Sequence, residues 1–214
     1  MKQGNTKDRL LSSALDLISA RSYANVGVQE LCEHSGVKKG SFYHFFPSKR
    51  DLTLAALDRQ WDIAKQTVWD PAFVNHLPFH RKLQRCVDLF YKHQCGVKEK
   101  SGQIQGCPFG NLALELSTQD EAIRCKVDQI FRECARYVER MLREAIAAGE
   151  IPNQDISATA EAVIAYMEGV MLMAKTRNDP NVIKELRQGL LRFIQAGSAV
   201  TGRARAGKGA KKGV

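Results

Sequence analysis

Apolar residues recur along most of this chain at helical spacing, and that period limits what it can fold into. Leu10, Leu11, Ala14, Leu15, Leu17 and Ile18 fall at i, i+3/i+4 and i+7, which places one apolar stripe on a helix and leaves the other side polar. Leu52, Leu54, Ala55, Leu57 and Trp61 repeat the pattern. No alternating strand pattern and no internal repeat is found. Punctuation sets the ends. Asn5 or Thr6 caps the first helix, and Gly36 stops a second that carries Val28, Leu31 and Cys32 inward. Lys38–Phe46 reads as a third helix, ended by Pro47, and Ser48-x-x-Asp51 is a capping box opening the fourth.

Beyond an irregular segment with Pro71 and Pro78, a helix is expected from Phe79 to about Val97, then a polar loop from Lys98 to Gln105. Gly106-Cys107-Pro108 opens a short helix, with proline at a first helical position. Thr118-x-x-Glu121 reads as a second capping box, starting a long helix to Ala148, and Glu115, Asp120 and Glu121 are taken as capping groups. Asp155 or Ser157 begins the next helix, to Arg177, and a last one follows Asp179-Pro180 and stops at Gly197. The expectation is an all-α protein of about nine helices.

A chain of 214 residues, 44% hydrophobic, can bury a core as one medium domain or as a small head plus a body. No stretch approaches the ~18 continuous apolar residues of a membrane span, and Met1–Arg9 lacks the apolar core of a signal peptide. No membrane partner is expected, and the expected compartment is the cytoplasm. There the six cysteines should stay reduced. No C-x-x-C pair occurs, and His93-x-Cys95 alone does not make a metal site, so neither metal nor cofactor is expected. The net charge is +9, and Thr201–Val214 carries five basic residues and no acidic one; that tail is expected to be disordered, with nonspecific phosphate attraction or plain solubilisation both open.

Three short helices with a glycine-containing turn between the second and third form the helix-turn-helix pattern, whose third helix enters the major groove. Side chains at its start must be small or basic to approach base edges. Lys38 and Lys39 supply charge, Gly40 permits close approach and Ser41 can bond bases or phosphate. Phe42 and Phe46, four apart, anchor the helix inward, leaving Tyr43 and His44 outward.

The stretch from Gly36 to Leu52 resembles the recognition helix and following cap of the TetR (tetracycline repressor) family, with strong resemblance over about Thr6–Leu57. The resemblance implies that Lys39, Gly40 and Ser41 face bases or nearby phosphates, and that Tyr43, His44 and Lys49 clamp the backbone. Two positions depart from the family pattern. Gly27 stands where a Thr or Ser usually caps the second helix and touches phosphate, so that contact would rest on backbone amides; Lys38 stands where a Ser often caps the recognition helix. The implied organisation is a DNA-binding domain over residues 1–50, an effector-sensing and dimerisation domain over 51–200, and the tail over 201–214.

By the same resemblance the last two helices pair two copies, so that two recognition helices meet the half-sites of a palindromic double-stranded operator. Ala162, Tyr166, Gly169, Val170, Leu190 and Phe193 are the interface candidates. A small-molecule effector is expected in the body, with Trp61, Phe90, Phe109, Tyr137 and Met171 as candidate linings. Cys107 opens a segment, Gly106–Leu116, similar to one in TetR relatives that respond to electrophiles, where the matching cysteine is the sensor. At a helix N-terminus the dipole favours a thiolate. A buried structural thiol is the other reading of Cys107. Cys86, Cys95, Cys125 and Cys134 are candidate resolving thiols.

The implied function is a transcriptional repressor released from DNA by its effector, through Cys107 or through a noncovalent apolar ligand. A general architectural DNA binder is the alternative. Enzyme signatures (a glycine-rich phosphate loop, G-x-S-x-G, H-E-x-x-H) do not occur.

Overall fold

The computed structural model describes residues 5–74 and 77–206, with the side chains of 195–206 excepted. The described residues form helices α1 (Thr6–Arg21), α2 (Val28–Ser35), α3 (Lys39–Phe45), α4 (Lys49–Ala64), α5 (Asp70–Ala72), α6 (Phe79–Ser101), α7 (Pro108–Leu116), α8 (Glu121–Ala147), α9 (Ile156–Arg177) and α10 (Val182–Ala206). A π-helical turn, Lys65–Trp69, follows α4 and runs into α5, so 49–72 is helical throughout and the all-α expectation of about nine helices holds among these residues. Pro71 accounts for the turn. It has no N–H to give the carbonyl four residues back, and its ring crowds that carbonyl.

Local chemistry sets the boundaries. The Asn5 side chain accepts from the Asp8 N–H at 2.9 Å, Ser48 from the Asp51 N–H at 3.2 Å and Asp155 from the Ala158 N–H at 3.0 Å. Gly36 ends α2 in the left-handed conformation at φ 63°. Three expected boundaries are corrected. Asp120, not Thr118, caps α8, its Oδ1 accepting from the Ala122 N–H at 3.0 Å and the Ile123 N–H at 3.2 Å. α6 continues through Lys98–Ser101 to a left-handed Gly102, because Lys98 and Lys100 in its last turn suit the negative helix end. α10 passes the expected stop at Gly197 and reaches Ala206, so the expected tail begins inside a helix; Lys208, Lys211 and Lys212 lie outside the described residues.

The chain divides into two compact units, one of residues 1–67 with 105–131, the other of 68–104 with 132–214. The boundary expected at 50/51 thus falls inside the first unit, which also holds α7 and the start of α8. There α1 packs on α4, α2 and α3 and touches α7. Its core is Leu10, Ala14, Leu31, Phe42, Leu52 and Leu57, all fully buried. In the second unit α10 packs on α9 and α6, and α5 on α6, around Leu142, Ile183 and Ile194. Lys82 of α6, only 3% exposed, pairs with Glu144 of α8. α9 is long and apolar enough to span a bilayer by length and composition, with mean hydropathy 1.3, yet only 28% of that window is buried within the chain.

Candidate nucleic-acid interface and the helix behind it

Seven residues, Lys39–Phe45, make α3, and its pose rests on two aromatic rings. Phe42 is fully buried and Phe46 is 4% exposed, with centroids 6.4 Å apart. Burying that face turns the other outward: Lys38, Lys39, Gly40, Ser41, Tyr43 and His44 are all exposed. Among the described residues neither Lys38 nor Lys39 has an acidic partner. A Cβ at Gly40 would meet nothing within 4 Å, so the glycine leaves open room outside α3. Lys38 precedes α3 in extended conformation without a side-chain cap bond, as expected where a lysine replaces serine. Gly27 precedes α2 likewise, exposed and without a side-chain cap, which leaves the first amides of α2 to other acceptors.

Lys49 has a defined place. Its ammonium donates to the Tyr23 carbonyl at 2.9 Å and the Val26 carbonyl at 3.0 Å, and lies 3.9 Å from the Tyr23 ring centroid. Burial lowers its pKa from the ordinary lysine value. Two of its three donors therefore tie the α1–α2 turn to the start of α4.

Glu115, expected as a capping group, does not cap a helix. Its carboxylate reaches across to the same turn, Oε2 accepting from the Tyr23 N–H at 2.8 Å and Oε1 from the Ala24 N–H at 2.7 Å. Glu121 instead pairs with Arg124. The partners stand 91 and 92 positions apart in the chain, so no local pattern shows this contact.

Cys107 stands where expected, at the N-cap of α7 with Pro108 following, and its Sγ accepts from the Gly110 N–H at 3.5 Å. It is neither fully buried nor exposed. Cys125 lies in the same unit and is exposed, but its thiol donates to the Glu121 carboxylate at 3.3 Å, and that bond raises its pKa. Cys86, Cys95 and Cys134 belong to the second unit. Burial pushes the Cys86 thiol up to about 12, and raises that of Cys134 strongly.

The candidate effector linings separate between the units. Trp61 and Phe109 meet edge to face at 6.5 Å in the first. In the second, Trp69 gathers Phe73, Phe90 and Tyr137 at centroid distances of 5.6, 5.9 and 5.4 Å, and the Tyr137 hydroxyl donates to Asp70. Met171 is 7% exposed on α9. A cleft of about 390 Å³ opens elsewhere, among Asp8, Arg9, Ser12, Ser13, His34, Ser35 and Arg59; its polar lining is unlike an apolar effector pocket.

Of the interface candidates, Gly169 is exposed, Ala162, Tyr166 and Val170 are half-buried, and Phe193 is 39% exposed. A Cβ on Gly189 of α10 would overlap the Tyr166 hydroxyl, so this glycine lets the tyrosine lie against α10. Leu190 is corrected: at 1% exposure it belongs to the core of its own chain.

Comparison with known proteins agrees with this geometry. Residues 10–56 match the family of bacterial regulatory proteins named tetR, and residues 82–190 match the tetracyclin repressor-like C-terminal domain. The transcriptional regulator AcuR of Cereibacter sphaeroides is 30% identical over 175 residues, covering 80% of this chain and 77% of that protein. The HTH-type transcriptional repressor NemR of Escherichia coli is 27% identical over 149 residues, 68% of this chain and 69% of that one. The crystal structure of reduced E. coli NemR superposes with a TM-score of 0.74 at 22% identity, covering 89% of this chain and 97% of that one. A regulatory protein TetR from Rhodobacter sphaeroides superposes with a TM-score of 0.77 at 28% identity, covering 89% of this chain and 100% of that one. With the head and body both matched, and a relative 30% identical over most of its length, the chain belongs to the TetR family of transcriptional regulators and is not an enzyme.

Proposed function

We propose that this regulator is a cytoplasmic repressor that binds a palindromic operator as a homodimer and is released by an electrophile acting at Cys107. The observation that carries the DNA-binding part is the exposed face of α3, Lys38 to Ser41 with Tyr43 and His44, held outward by buried Phe42 and Phe46. Lys39 and Ser41 are the base-facing groups, with Gly40 allowing the helix to sit close. Lys38, Tyr43, His44 and the α2 amides after Gly27 supply phosphate contacts, which fix register and give much of the affinity. Lys49 has one donor left for a phosphate beside the two that hold the turn.

Two copies are needed because one short helix reads only a few base pairs. The apolar outer face of α9 supports this: Ala162, Tyr166 and Gly169 share it with Leu172, 51% exposed, and Met173, 41% exposed. Gly169 has open space beyond it, which favours a close helix partner. Such a surface calls for a partner chain.

For the effector, the position of Cys107 supports covalent chemistry. An N–H aimed at Sγ stabilises a thiolate, and alkylation of the sulfur would remove that acceptor and add bulk at the start of α7. Cys125, more exposed, faces a carboxylate that disfavours its thiolate. The test is fluorescence anisotropy on DNA from the upstream region of the gene, with N-ethylmaleimide titrated into wild type, Cys107→Ser and Cys125→Ser. Release from wild type and Cys125→Ser but not from Cys107→Ser is expected. Tight binding without release in any of them would refute the thiol switch and favour a noncovalent apolar effector. Equal affinity for random DNA would refute the operator reading and favour an architectural binder.

A further inference from the structure

Between α1 and α2 the chain makes a turn, Ser22–Gly27, that is gripped from two sides. Ser22 has φ 124°, a region in which a residue with a side chain is strained. The next two amides, Tyr23 and Ala24, both point at the Glu115 carboxylate, at 2.8 and 2.7 Å. Bonds from N–H groups to an ionised carboxylate are among the stronger kind, and two converging donors fix both position and direction. Carbonyls of the same turn, Tyr23 and Val26, accept from Lys49 at 2.9 and 3.0 Å. The turn runs into Gly27 and the uncapped start of α2. On the other side, Glu115 belongs to α7, the nine-residue helix whose N-cap is Cys107. Gln119 holds the Glu115 backbone carbonyl at 2.9 Å, and Asn111 holds that of Gln105 at 2.9 Å, so both ends of α7 are braced. All of these residues lie in the first unit.

We infer that Glu115 is a positioning residue, a carboxylate latch through which α7 sets the α1–α2 turn and with it the start of α2 that meets the operator backbone. The inference rests on the repressor reading above. With the latch closed, Ser22 is kept in its strained conformation and the first amides of α2 stand at a fixed place beside α3. A shift of α7 withdraws the carboxylate, the turn relaxes, and those amides no longer meet phosphates at the spacing that α3 requires. No charge need move on the DNA-facing surface itself, so the loss falls on specific binding more than on general attraction to DNA.

The test compares full-length wild type, Glu115→Gln and Glu115→Asp by hydrogen–deuterium exchange, melting temperature, and affinity for operator and random DNA. Glutamine keeps the size but loses the charge and one acceptor; aspartate keeps the carboxylate. Expected for Glu115→Gln are faster exchange at Tyr23 and Ala24, operator affinity lower by about tenfold or more, and a much smaller loss on random DNA, with Glu115→Asp recovering part of the exchange protection and of the operator affinity. If Glu115→Gln binds the operator as wild type does, or loses operator and random DNA together in step with its melting temperature, the residue is only a brace and the inference is overturned. N-ethylmaleimide on wild type should expose the same two amides; release of DNA with those amides still protected would also overturn it. A wild type that shows no operator preference removes the repressor reading itself, an outcome separate from failure of the latch alone.

Discussion

Phe42 and Tyr43 are neighbours whose rings meet edge to face at 5.1 Å, yet one is fully buried and the other 49% exposed. Truncating them should give opposite results. Phe42→Ala should cost about 3–5 kcal/mol of stability, measured by chemical denaturation, and abolish DNA binding with it. Tyr43→Ala should change stability by less than about 0.5 kcal/mol while weakening DNA binding. The cysteines divide in the same way. Native protein treated with N-ethylmaleimide near neutral pH and mapped by mass spectrometry should carry label at Cys107, Cys95 and Cys125, with Cys32, Cys86 and Cys134 labelled only after unfolding. The Cys86 thiol, pushed up to about 12, stays neutral in the folded chain where an unfolded thiol would ionise, so its contribution to stability is complete below the ordinary thiol pKa and is lost as pH rises toward 12. At this scale the exposed face of α3 is legible in the sequence, because α3 is short and its inward pair sits at a helical interval. Glu115 is not, because its partners are backbone amides some ninety residues away.

Helix ends follow chemistry within a few residues, which is why most of them could be read in advance. Asn5, Ser48 and Asp155 cap α1, α4 and α9 through side-chain oxygens, and Cys107 stands at the head of α7 as its sequence context indicates. Structure and expectation part where two signals compete. Thr118 and Asp120 both precede α8, and the carboxylate takes the cap by accepting from two amides at once. Asp120→Ala should therefore destabilise by about 1 kcal/mol while Thr118→Ala stays within about 0.5, a difference that paired denaturation curves would resolve. Lys98–Ser101 looked like a loop because it is polar, but a solvated last turn is polar too. Pro71, expected in an irregular segment, is absorbed by a π turn, since the helical backbone needs to give up only a few hydrogen bonds around it.

At the scale of the whole molecule, the chain forms two compact units, and α7 falls in the same unit as α1–α4. That assignment depends on contacts distant in sequence, such as Lys126 with Asp58 at 2.8 Å and Trp61 with Phe109, which no periodicity encodes. The outer face of α9 was more legible: its small and apolar residues follow one helical stripe, although Leu190 on α10 turned out to serve the core. A Leu172→Asp, Met173→Asp double variant should run as a monomer in light scattering after size exclusion, with its circular dichroism spectrum unchanged; a persistent dimer would place the interface elsewhere. The most direct test of specific, paired DNA reading through α3 is hydroxyl-radical footprinting on the upstream region of the gene. Two protected patches related by a two-fold axis, both lost in Lys39→Ala, Ser41→Ala, are the expected result. Even protection along the whole fragment, or the same two patches surviving in that variant, would contradict it.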